Sequence, residues 1–246
     1  MTGEEGSPSA DGRYWALMAM SDDFNTQYGL IVYDFQTDSI VGVYDYVTDG
    51  GGIIVGTGTA GPNNVSMSPS GTHVVALWNP PACTAGRQGT LNDPCGTIAF
   101  NRDFSSAINL AFNGEHGDTA TDINGRDVYV GIEYQDRGAI EIIDLETGSL
   151  VADIETAVWV GGAIHISGRA TGRPGWVVIS HYTETPIVTW YNEEIFLVKI
   201  GPAPVIVSLG KHQSDTSDYW SQPHATISRD ATRIVWGSIG AMSTTC

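Results

Sequence analysis

Val65-Ser66-Met67-Ser68-Pro69-Ser70-Gly71-Thr72, followed by His73-Val74-Val75-Ala76-Leu77-Trp78, is the stretch on which the fold turns. A short polar–apolar run ends in a Ser/Gly turn, and a strongly apolar run leaves it, as in a β-hairpin. The same succession recurs at Asp118–Asp122, Asn124-Gly125 and Val128–Ile132. It returns at His165-Ile166-Ser167-Gly168 with Trp176–Ser180, and at Ala225–Asp230 with Arg233–Gly237. An incomplete copy opens the chain, with Asp11-Gly12 before Tyr14–Met20. Successive turns lie about 48 to 59 residues apart, the spacing of a repeat architecture.

Further strands follow most of these hairpins. Leu30–Asp34 leads through Gln36-Thr37-Asp38 into Ser39–Tyr44, and Ala139–Asp144 leads through Glu146-Thr147-Gly148 into Ser149–Ile154. Glu194–Ile200 passes Gly201-Pro202 into Val205–Leu209. Four strands per repeat at this period predict an all-β β-propeller of four-stranded antiparallel blades, in preference to a β-sandwich. The first blade lacks its first strand, three are full, and the fifth stops after its second strand. About four and a half blades are therefore expected, an arc of a larger ring. Residues 1–246 are read as a single propeller domain, open at both ends.

The composition agrees. Charged residues make up 16% of the 246, below the roughly 25% of ordinary domains. Thirty glycines, seven Trp, ten Tyr and six Phe suit a turn-rich β protein and exclude a helical bundle, a coiled coil or a disordered chain. The net charge is −17, with only eleven Lys and Arg against 28 Asp and Glu. So few cations exclude nonspecific nucleic-acid binding and disfavour anionic membrane surfaces. No run of about 18 apolar residues occurs, so no membrane-spanning helix is expected. Met1–Pro8 is acidic and has no apolar centre, unlike a signal peptide. Cys83 and Cys95 bracket a loop and are read either as a loop-closing disulfide or as two thiols, with Cys246 left over. The acidic surface and the cysteine pair give the expectation of an extracellular or periplasmic protein.

The first strand of a propeller blade lines the central channel, so residues at the starts of these strands converge. Three of the six histidines fall there: His116, His165 and His224, with Asn63 and Asn64 at the matching place one blade earlier. His181 ends the strand that pairs with the one carrying His165. Clustered neutral imidazoles suit divalent metals. His165, His181, His224 and Gln222 are the candidate ligands for zinc, manganese or calcium, with Asp118 as an alternative fourth. The bland alternative is that each histidine caps its strand by hydrogen bonding. His73 and His212 are expected in solvent.

Three segments resemble a known group: His116-Gly117-Asp118 with Asp122, Gly125 and Val128; His165-Ile166-Ser167-Gly168 with Arg173–Ser180; and Tyr219-Trp220 with Pro223-His224-Ala225-Thr226 and Arg229-Asp230. Over roughly residues 11 to 240 they look like the β-propeller polysaccharide lyases of the ulvan lyase and oligogalacturonate lyase types. That resemblance implies a seven-bladed ring and a carbon–oxygen lyase cleaving an anionic, uronic-acid-containing polysaccharide by β-elimination. Such chemistry neutralises the carboxylate, removes the C5 proton and protonates the leaving oxygen. His116 is then the candidate base. Tyr134 and Arg137 are candidates for acid and charge neutralisation, and Tyr182 competes for the acid role. Arg169, Arg173 and Asn64 are candidate substrate contacts. The alternative is a non-catalytic propeller that binds glycan or protein through the same face. No Gly-x-Ser-x-Gly elbow occurs, which argues against a serine-hydrolase site.

Overall fold

The computed structural model describes residues 7–23, 25–51, 61–78, 83, 89–112, 116–133, 138–155, 162–183 and 190–238. Among them, five sheets follow one another along the chain. The first has three strands, β1 (Tyr14–Met20), β2 (Gln27–Asp34) and β3 (Ser39–Asp45). The second holds β4 (Pro62–Met67), β5 (His73–Trp78), β6 (Gly96–Asn101) and β7 (Ala107–Ala111). The third holds β8 (Gly117–Thr121), β9 (Asp127–Glu133), β10 (Ala139–Asp144) and β11 (Leu150–Glu155). β12 (Gly162–Ser167), β13 (Trp176–Thr183), β14 (Glu194–Lys199) and β15 (Val205–Lys211) form the fourth. β16 (Thr226–Ile227) and β17 (Ile234–Val235) form the last. In each sheet sequence neighbours are spatial neighbours, the antiparallel meander of a propeller blade. The expected succession of one three-stranded, three four-stranded and one two-stranded sheet is what the structure contains.

The turns that punctuate the sequence share one geometry. Gly12, Gly71, Gly125 and Ala231 each donate their N–H to the carbonyl three residues back, on Ser9, Ser68, Asp122 and Ser228. Each donor residue is left-handed, with φ of 75°, 75°, 83° and 55°. Glycine adopts that conformation without strain, whereas Ala231 does so against the clash of its Cβ. The first turn residue also locks the following strand. Ser9, Ser68 and Ser228 accept through Oγ from the N–H of Tyr14, His73 and Arg233, and Asp122 accepts from Arg126.

Contacts divide the chain into two compact units, and the sheet β8–β11 supplies residues to both. The first unit comprises Met1–Glu115, Asp127–Tyr129 and Ile143–Ser149. Its β5 is buried along its whole length, and the period of two along a strand sends its side chains into two cores. Val74, Ala76 and Trp78 join Leu30, Tyr44, Met67 and Phe100, while Val75 and Leu77 join Ala99, Tyr129 and Leu145. Burial on both faces explains why β5 reads as an unbroken apolar run. The rings of Tyr44, Phe100 and Phe104 lie 4.9 to 5.6 Å apart, in tilted or edge-on arrangements. Cys83 and Cys95 are bonded in this unit.

The second unit comprises His116–Arg126, Val130–Ile142 and Leu150–Cys246. β13 is buried over seven of its eight residues, and Val178, Ile195, Ala225 and Ile227 form an apolar cluster beneath it. The strand starts β8, β12 and β16 run side by side here. Gly168 accepts no side chain because a Cβ would stand 2.1 Å from the Thr119 carbonyl. Ser167 and Thr226 touch through their hydroxyls at 3.2 Å. This register brings His116, His165 and residues 222–224 level with one another.

Candidate functional site

His165, in the middle of β12, is the centre of the site. It is 4% exposed, and its ring packs within the second unit against His224 at 3.9 Å, His116 at 5.1 Å edge-on, and Tyr182 stacked at 5.2 Å. Tyr219 stands edge-on to both His165 and His224. The pairing of β12 with β13 puts Tyr182 opposite Ala163 and Ser180 opposite His165, so both share the face on which His165 lies. Ser180 in turn accepts the Ala225 N–H, tying the segment after His224 to β13.

Hydrogen bonds place a proton on two of these rings. His224 Nε2 lies 2.7 Å from the Tyr219 carbonyl, which can only accept, so this nitrogen carries a proton. His165 Nε2 donates to Gln222 Oε1 at 2.8 Å. Burial pushes His165 down to about 3, against the help of Gln222 and with a further push from His224 and His116. His165 therefore stays neutral at any ordinary pH.

The sequence-predicted residues divide as follows. His116, His165, His224, Gln222 and Tyr182 come together. His181 does not: it pairs across the hairpin with Ile164, on the opposite face of the sheet from His165. There it is 1% exposed, packs edge-on against Tyr191 at 4.9 Å, and is pushed down to about 4 by burial, with His212 and Lys211 adding to the push. The candidate metal set is thus split by the sheet. Tyr134 and Arg137 lie outside the described residues. Asn64 belongs to the first unit, where it is buried and accepts the Ser66 hydroxyl at 3.2 Å. Arg169 faces the Asp118 carboxylate at 3.5 Å, and that carboxylate also accepts the N–H groups of Gly168 and Thr119. Arg173 is exposed on the β12–β13 turn, at the other end of the hairpin from the Ala163–Tyr182 pair.

The four proposed ligands do not converge on one point, because His181 lies on the other face of the sheet from His165. His165 and His224 direct Nε2 into protein hydrogen bonds, so a cation held by these two rings would be bound through their Nδ1 atoms. Among the described residues, no group of three or more His, Cys, Asp or Glu is arranged to hold a metal.

Two expectations of solvated histidines are corrected. His73 is 6% exposed; Thr72 Oγ1 lies 3.0 Å from its Nδ1 and Glu146 3.6 Å from its Nε2. With Thr72, Asn101, Arg102, Asp103 and Glu146 it lines a polar cavity of about 300 Å³ in the first unit. His212 is 2% exposed, its Nδ1 accepting from the Ser214 N–H and its carbonyl from the Trp236 indole. One site residue escaped the sequence reading in its role: Tyr219, whose carbonyl accepts from His224 Nε2. Its only signal was its place five residues before His224 in a segment rich in turn formers.

No protein-family model matches the chain, and neither does any curated protein sequence. Among solved structures, an oligogalacturonate lyase in complex with manganese matches over 96% of the chain with a TM-score of 0.54 and 11% identity. An oligogalacturonate lyase from Vibrio parahaemolyticus matches over 95%, with a TM-score of 0.50 and 14% identity. The chain spans 62% of the length of each. At such identities the likeness is one of fold alone, that of a β-propeller.

Proposed function

We propose that this chain is part of a polysaccharide lyase that cleaves an anionic, uronic-acid-containing polymer by β-elimination. The observation that supports this most is the contact cluster of His116, His165 and His224 with Tyr182 and Tyr219, built on neighbouring strand starts of a lyase-like propeller. β-Elimination needs a base of near-neutral pKa and an acid poised at the leaving oxygen. His116 is half-buried at the edge of the cluster and is the proposed base for the C5 proton. His165 remains uncharged beside it. The Tyr182 hydroxyl, on the ring stacked over His165, is the proposed acid. Arg137 is the proposed partner of the substrate carboxylate, since Arg169 is engaged by Asp118 and Arg173 lies at the other end of its hairpin. The Cys83–Cys95 bond supports an extracellular or periplasmic setting.

A second reading, a non-catalytic glycan-binding propeller, is favoured by the arginines. Arg169 is paired and Arg173 lies at the far end of its hairpin, which leaves the cluster without a described guanidinium. Incubation with polygalacturonate, ulvan and alginate separates the two. A lyase releases unsaturated uronides, seen as a rise in ultraviolet absorbance, and His116→Ala abolishes the rise. Product formation that survives His116→Ala removes that residue as the base. Binding without product establishes the second reading.

A further inference from the structure

Trp220 is the most exposed large apolar side chain among the described residues, at 84%. Its surroundings are anything but loose. Tyr219–Ser221 form a single 3-10 turn, capped by Asp218, whose carboxylate accepts from the N–H of Trp220 at 2.8 Å and of Ser221 at 3.1 Å. The Tyr219 ring packs edge-on against the indole at 5.2 Å. The residues on either side are committed to the histidine cluster, Tyr219 through its carbonyl to His224 and Gln222 through its amide to His165. The capped turn thus sends two groups, the Tyr219 carbonyl and the Gln222 amide, into the cluster and one bare indole into solvent beside it. Exposing an indole forgoes the stabilisation its burial would bring, and none of the bonds of the turn requires it.

We infer that Trp220 is a stacking platform for a pyranose ring of the polysaccharide, adjacent to the sugar held at the histidine cluster. This rests on the polysaccharide reading above. A pyranose ring has an apolar face of C–H bonds within its rim of hydroxyls, and those hydrogens are attracted to the negative face of an indole. Stacking of this kind needs no cation. That matters in a chain of net charge −17, in which Arg169 is already paired with Asp118. A neutral platform holds an anionic polymer without like-charge repulsion at the contact. Trp220 is in this sense a positioning residue, since it has no part in proton transfer.

The test uses the whole chain and its Trp220→Ala and Trp220→Phe variants, with polygalacturonate, ulvan and alginate as probes in affinity electrophoresis and turnover assays. Trp220→Ala is expected to weaken binding of the polymer that the native chain retains by roughly tenfold. It should raise KM while leaving kcat within about twofold, and Trp220→Phe should restore most of the affinity. An unchanged urea midpoint confirms that the exposed position leaves folding intact. Native affinity in Trp220→Ala overturns the inference and leaves the lyase reading standing. Polymer binding lost in Trp220→Ala, in a native chain that forms no unsaturated product, upholds the platform and ends the lyase reading. A native chain that retains none of the three polymers overturns both.

Discussion

The first unit and the second build the same meander and fill it with opposite chemistry. Around β4 and β5, Val65, Met67, Val74 and Trp78 meet Tyr44, Phe100 and Phe104, and the nearest polar pair, Asn64 and Ser66, is satisfied within its own strand. Around β12 and β13, the equivalent interior holds His165, Ser167, Ser180 and Gln222, each buried. Apolar burial needs only volume and shape, so the first interior can serve stability alone. Buried polar groups cost free energy unless each is bonded, so the second interior is tolerated only through a specified network. That contrast is the physical reason to look for function in the second unit.

The comparison can be broken or sharpened by measurement. The largest effect is expected from Trp78→Ala, which removes the biggest fully buried side chain among the described residues and should cost about 3–5 kcal/mol in urea unfolding. A cost near that of a surface substitution would show that the aromatic interior is not the stabilising one. Next, replacing Cys83 and Cys95 by Ser should cost about 3 kcal/mol, because the bond closes a loop of twelve residues in the unfolded chain. A urea midpoint unchanged by the double substitution would refute that.

The histidines make the third effect pH-dependent. An imidazole in the unfolded chain takes up a proton near pH 6.5, whereas burial holds His165 down to about 3 and His181 to about 4. Below pH 6.5 the unfolded chain binds protons that the folded one refuses, so stability falls as pH falls, and above 6.5 these groups add no slope. Between pH 6.5 and 5 the loss should be on the order of 2 kcal/mol per histidine. The carboxylates of Asp34 and Asp122, held below their ordinary values by Arg13 and by Arg126 with its neighbouring N–H groups, lose stability only at lower pH. His165→Asn should therefore flatten the slope in that upper window alone, and a slope that persists in full would place its origin elsewhere. The smallest effect is a gain: Ala231→Gly should add about 0.5–1 kcal/mol by relieving the left-handed alanine, and a loss would show that the methyl packs usefully.

Much of the fold was legible because its signals are local. The turn beginning at Ser68 and those beginning at Ser9 and Ser228 use the same serine hydroxyl bond, and each is announced by residues that the local backbone itself demands. The site was legible in part. That His116, His165 and His224 converge follows from the repeat, since equal positions in successive blades fall level. The placement of His181 did not follow, because hairpin adjacency says nothing of face until the register is known; pairing with Ile164 turned its ring away. The burial of His73 and His212 was equally hidden. His73 meets Glu146, and the His212 carbonyl meets the Trp236 indole, residues distant along the chain.

What the sequence determined by itself is the repeat: strand, turn and strand chemistry is written in contiguous residues, and its period names the architecture. Only the tertiary structure decided which polar groups share an interior, where His224 Nε2 donates, and that Arg169 is spent on Asp118. Those outcomes depend on strand register and on contacts across some 50 residues, as between Gly168 and Asp118, where a shift of one position reverses every side chain.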